Sequence, residues 1–125
     1  MSATLMTGTN SDMNLNNPFP MYVRLLYLGW WKCFLCGGNG SDCGGLEIHH
    51  VLGRISDVAF NSSCLCKKCH ATVGHTQEEH RLIFGKFLEF AHAIRYSPNE
   101  EDLLFLEKNY YELVSCETEK MLQRL

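Results

Sequence analysis

Apolar positions recur at helical spacing over the second half of the chain. After Thr76, the residues Ile83, Phe87, Phe90, Ala91 and Ile94 fall on one face, which predicts an amphipathic helix over 77–95. Thr76-Gln-Glu-Glu79 has the form of a capping box at its start. Ser97-Pro98-Asn99-Glu100 gives a second start signal, with Ser at the cap and Pro at the first helical position. From there Leu103, Leu106, Tyr110, Leu113 and Val114 form a stripe, predicting one amphipathic helix from Ser97 to about Gln123. Nearer the N-terminus, Met21–Leu28 predicts a short helix ending near Gly29. Leu46–Leu52 alternates as a strand or hairpin arm does, Gly53–Ala59 is a loop, and Phe60–Leu65 leads into Cys66-Lys-Lys-Cys69. Residues 1–20 are Ser/Thr/Asn-rich, closed by Pro18 and Pro20, and predict a flexible arm. The expected class is α+β: a small module over residues 21–96, packed with C-terminal helices, of which residues 97–125 are the acidic one.

Composition narrows the picture. The chain of 125 residues suits one domain, and its apolar fraction of 46% permits a modest core. No apolar run approaches the roughly 20 residues a membrane helix needs. Met1–Asn17 has neither Lys nor Arg and no apolar stretch of a signal peptide, so a reducing cytoplasm is the expected compartment. The net charge of −3 is unevenly spread. Tyr22–Tyr96 carries eight Lys or Arg against six Asp or Glu, whereas Ser97–Leu125 carries three against seven. The middle segment can therefore face DNA without being strongly basic.

Candidate chemistry lies in that segment. Cys33-x-x-Cys36-Gly and Cys66-x-x-Cys69 are two pairs with 29 residues between them. In a reducing compartment such pairs read as one four-cysteine zinc site, with glycine easing the turn after the first pair. Cys43, Cys64 and Cys116 remain, and read as small buried hydrophobes. Five of the six histidines, His49, His50, His70, His75 and His80, lie within the same region.

Residues 33–75 resemble the HNH, ββα-metal or His-Me finger, endonucleases with a zinc knuckle. The run that carries the likeness is Cys33-x-x-Cys36, His49-His50, Asn61, then Cys66-x-x-Cys69-His70. The resemblance implies a metal-dependent phosphodiester hydrolase acting on DNA, branched or single-stranded forms included, with structural Zn²⁺ on the four cysteines. It implies His50 as general base, a task that an ordinary imidazole pKa of about 6.5 suits. His49 and His70 would hold a catalytic divalent ion (Mg²⁺, Mn²⁺, Ni²⁺ or Zn²⁺), with Asn61 holding the backbone near His50. Family members space their last two ligands at i, i+4. That place is Gly74 here, so His75 is the third ligand, with His80 or water as alternatives. Arg54, Lys67 and Lys68, and beyond them Arg81, are candidate phosphate contacts. Small HNH proteins of this kind are often phage-encoded or carried on mobile elements, which would place the enzyme in the host cytoplasm.

Two other readings compete. Cys66-Lys-Lys-Cys69-His70 also matches c-type haem attachment, which leaves the first pair and Asn61 without a role. A non-catalytic zinc ribbon binding nucleic acid or protein needs the cysteines but not the His pair. The acidic C-terminal helix could also serve self-association or a protein partner.

Overall fold

A computed structural model describes residues 18–30, 32–40 and 44–125. Residues 1–17 of the expected arm, Trp31 and Cys43 lie outside the described residues. The elements run α1 (Met21–Leu26), β1 (Leu46–His50), a 3-10 turn (Ala59–Asn61), β2 (Ser62–Cys66), α2 (Lys67–Thr72), α3 (Gln77–Ile94), α4 (Glu100–Lys108), α5 (Tyr110–Leu113) and α6 (Cys116–Leu122). The protein is thus α+β, with one two-stranded sheet among the described residues. Backbone bonds from Val51 N to Asn61 O and from Lys67 N to Gly45 O bracket the β1–β2 ladder and make it antiparallel. Among the described residues no helix is long and apolar enough to cross a membrane.

Two compact units share the chain. The first holds the described residues up to His49 together with Cys64–Val73; the second holds His50–Ser63 and Gly74–Leu125. The chain therefore passes between units inside both strands. Sequence patterning could not anticipate this, because each strand belongs partly to either unit.

In the first unit α1 follows Pro20, whose carbonyl accepts from Val23 and Arg24 N–H. Phe19, Val23, Tyr27, Phe34, Leu46, Ile48 and Leu65 are buried. Phe19 falls in the segment expected to be a flexible arm, yet its ring is fully packed: an aromatic beside a helix start has apolar surface to bury. The Phe34 ring lies 6.2 Å from Tyr27 and 6.4 Å from Trp30, between centroids.

In the second unit Phe60, on the 3-10 turn, sits edge-on to both Phe84 and Phe87 of α3, 5.7 Å from each. Helices α5 and α6 pack on α3, and α4 packs on the turn. The Thr76–Glu79 capping box opens α3 as expected. Ile94, expected on the apolar face, is exposed, while His80, Phe84 and Leu88 are buried. The buried face is thus wider than the Ile83–Phe87–Phe90 stripe, because α3 packs against the 3-10 turn, α5 and α6.

The single C-terminal helix expected from Ser97 to Gln123 is instead three short ones. The cap of α4 is Asn99, not Ser97: its side chain accepts from Asp102 N–H, and the Asp102 carboxylate accepts from Asn99 N–H. Asn109, outside helical geometry, separates α4 from α5, and a Ser115–Thr118 capping box restarts the chain at α6. Within the stripe, Leu103 is exposed whereas Leu113 and Val114 are buried; Phe105, which the stripe left out, is buried as well. Cys116, expected to be buried, is exposed at the start of α6.

Candidate functional site

The four cysteines of the two pairs form a cluster in the first unit. The Sγ atoms of Cys33, Cys36, Cys66 and Cys69 all lie within 4.8 Å of one another. Local geometry prepares each pair. Gly37, at φ 74°, turns the chain back so that Gly37 N–H donates to Cys33 O and Cys33 N–H to Gly38 O. Backbone N–H groups then point at sulfur: Leu35 and Cys36 at Cys33 Sγ, Gly38 at Cys36 Sγ, and Cys69 at Cys66 Sγ, at 3.3–3.5 Å. Cys66 is also the cap of α2, so the helix start that satisfies its own backbone also positions two sulfurs.

The donor set fits a metal ion. Cys36 Sγ and Cys66 Sγ are 3.9 Å apart, against about 3.8 Å between two sulfurs held tetrahedrally at about 2.3 Å from one ion. Desolvation first, then the neighbouring cysteine sulfurs, pushes the Cys69 thiol well above its ordinary range. Gathering four sulfurs without a cation is thus electrostatically opposed, and a cation reverses the sign. Cys64 is fully buried beside them, and burial, with Cys33 and Cys66 nearby, likewise holds its proton.

Beyond the cysteines, β1 separates its side chains by face. Glu47 and His49 are two apart and share one face; His50 points to the other. His49 Nδ1 lies 2.9 Å from Nε2 of His70 on α2, and Nδ1 of His70 lies 2.8 Å from Glu47 Oε1. Glu47 was not anticipated as a partner, although its period-two relation to His49 places it there. A carboxylate at Nδ1 fixes that nitrogen as the N–H and directs the Nε2 lone pair toward His49. The 2.9 Å spacing suits an N–H···N hydrogen bond. It also suits two nitrogens at right angles on one cation, about 3 Å apart for bonds of about 2.1 Å.

In the second unit His50 Nε2 is 2.8 Å from Asp57 Oδ1. Asn61 is fully buried: its Oδ1 accepts from Leu52 N–H, and its Nδ2 donates to Gly53 O and Ser56 O. One side chain thereby ties the loop that follows His50 and carries Asp57. Nothing local in the sequence marks Asp57, since its pairing depends on how that loop closes.

The remaining expected residues are distributed differently. His75 is exposed beyond the end of α2, and its ring centroid is 6.1 Å from that of His80. His80 is buried, with Nδ1 2.7 Å from Glu112 Oε2 and with Nε2 lacking a hydrogen-bond partner. Among the described residues, the four cysteines are the group of three or more His, Cys, Asp or Glu whose ligand atoms converge. Lys67, Lys68 and Arg54 are exposed. Arg81 instead donates twice to Tyr111 O, tying α3 to α5.

These features define a small α+β protein with a four-cysteine cluster able to hold a metal ion. Set against protein-family models, curated proteins and solved structures, the chain matches none.

Proposed function

We propose that the protein is a metal-dependent HNH-type endonuclease that hydrolyses DNA phosphodiester bonds, with structural zinc on Cys33, Cys36, Cys66 and Cys69. The observation that carries the reading is the His49–His70 pair, 2.9 Å apart with Glu47 behind His70, on elements that follow each other as strand, strand and helix. A divalent ion there would supply positive charge to the scissile phosphate. His49 and His70 hold it, and Glu47 keeps His70 in the tautomer that binds.

His50 takes the proton of the attacking water. The water oxygen forms the new bond to phosphorus, the bond to the 3′ oxygen breaks, and that oxygen is protonated from solvent. Asp57 holds the His50 ring and balances the imidazolium charge. Asn61 acts by positioning, fixing the 52–56 backbone between His50 and Asp57. Arg54, Lys67 and Lys68 offer charge to flanking phosphates. Solvent completes the ion's shell, or His75 does as third ligand. A phage or mobile-element origin belongs to the same reading.

The test is cleavage of plasmid, linear, single-stranded and branched DNA across Mg²⁺, Mn²⁺, Ni²⁺ and Zn²⁺. Loss of a general base costs about 10²- to 10⁴-fold, so His50→Ala should fall by that much while keeping its zinc. Cleavage equal to the parent's would remove His50 from the mechanism. A second reading, a zinc ribbon that binds nucleic acid or protein without cutting, draws on the net charge of −3 and on the four-cysteine cluster. It gains if no metal supports cleavage by the parent.

A further inference from the structure

His80 is 8% exposed, so it is a buried imidazole on α3. Its Nδ1 faces Glu112 Oε2 at 2.7 Å. With the carboxylate as acceptor, Nδ1 carries the proton and the lone pair lies on Nε2. That Nε2 is buried and has no hydrogen-bond partner. Native structures seldom leave a buried polar atom unpaired, and one that persists calls for a ligand, an ion or a functional role. The neighbouring ring is His75, 6.1 Å away between centroids. His75 is exposed on the segment between α2 and α3, so its ring can turn at little cost.

We infer that His75 and His80 form a second metal-binding site for an imidazole-preferring divalent transition cation such as Zn²⁺ or Ni²⁺, with Glu112 orienting His80. A carboxylate on one nitrogen of an imidazole whose other nitrogen awaits a partner is the usual arrangement behind a metal-bound histidine. The spacing permits it. Two imidazoles on one ion at about 2.0–2.1 Å have centroids about 5 Å apart at a tetrahedral angle and roughly 6.4 Å apart at the widest. The observed 6.1 Å falls within that span, and rotation of His75 closes it further. Solvent fills the remaining positions, since no third ligand converges among the described residues. Imidazole nitrogen selects Ni²⁺, Cu²⁺ and Zn²⁺ over Mg²⁺. This site stands independently of the nuclease reading, and it takes His75 away from the His49–His70 ion.

The experiment is calorimetric titration of Ni²⁺ into the full chain with its cysteines already zinc-loaded, for the parent, His75→Ala and His70→Ala. His75 is exposed, so its replacement leaves the fold intact. The expected result is a binding event weakened at least tenfold by His75→Ala and untouched by His70→Ala. In two-dimensional imidazole NMR, the His80 ring signals should broaden on Ni²⁺ addition in the parent but not in His75→Ala. If both variants weaken the same event, His75 serves the His49–His70 ion; that overturns this site while favouring the nuclease reading. If His75→Ala binds like the parent, or His80 signals ignore Ni²⁺, the site does not exist, whatever cleavage assays give.

Discussion

The sulfurs of Cys36 and Cys66, 30 positions apart in the chain, lie 3.9 Å from each other. Only a cation makes that proximity favourable for thiolates. The protein should therefore carry one equivalent of zinc by elemental analysis. Four thiols must lose protons to bind it, so protons compete, and zinc should leave as the pH falls. Chelator or acid should collapse the first unit, read as loss of near-UV circular dichroism from its packed Tyr27 and Phe34. Retention of that signal in the metal-free protein would make the cluster dispensable for folding.

Glu47→Gln keeps a hydrogen-bonding group beside His70 Nδ1 but loses the charge. Such changes behind a ligating histidine cost about 10- to 100-fold in metal affinity. The concentration of Mn²⁺ needed for half-maximal cleavage should rise by that factor, with the cysteine-bound zinc unaffected. An unchanged metal requirement would leave the His49–His70 contact as a plain hydrogen bond.

Asp57→Asn removes the carboxylate facing His50. Cleavage at neutral pH should fall roughly tenfold, a modest loss because the Asp57 side chain is 54% exposed and its charge is screened. Cleavage equal to the parent's would leave Asp57 without a part in positioning His50.

Asp102 is fully buried, and its carboxylate accepts from Phe60 N–H at 3.0 Å, from Asn99 N–H at 3.1 Å and from the Tyr96 hydroxyl. Asp102→Ala orphans a buried backbone donor and two further groups. The expected cost is about 3 kcal/mol, or a fall of about 10 °C in Tm. A change under 3 °C would mean that water replaces the carboxylate.

Glu79 accepts from Gly74 N–H and Thr76 at the start of α3, and these bonds, the Gly74 one foremost, hold its carboxyl below the ordinary 4.5. A depressed folded value means stability that is present above pH 4.5 and lost as pH falls through the folded value. The Tm gap between the parent and Glu79→Gln should thus be open at pH 6 and narrow as the pH falls below 4.5. Gly74→Ala should narrow the same gap, since its Cβ would displace the Glu79 carboxylate from these bonds.

Much of this was legible in the sequence where a few adjacent residues decide the outcome. The two cysteine pairs, the Thr76–Glu79 cap and the strand bearing His49 and His50 are set by short-range spacing. What failed to show depends on closure between distant segments. Asp102 looks like a solvated helix-start carboxylate until Phe60 and Tyr96 converge on it. Asp57 meets His50 only because Asn61 folds the intervening loop. The C-terminal stripe reads as one helix because apolar spacing continues smoothly through Asn109 and Ser115, where caps interrupt it. His75 lies beyond the end of α2, which stops at Thr72, and its ring neighbours His80.

The order of the cysteines along the chain has one more consequence. Cys33 and Cys36 precede β1, Cys66 ends β2 and Cys69 follows it, so an ion gripped by all four closes the intervening polypeptide into a ring. Trypsin cutting after the exposed Arg54 would open that ring without separating its ends. The nicked halves would stay clasped and migrate together until a chelator released them. Continuity across that stretch is thus held twice, once by peptide bonds and once by the metal.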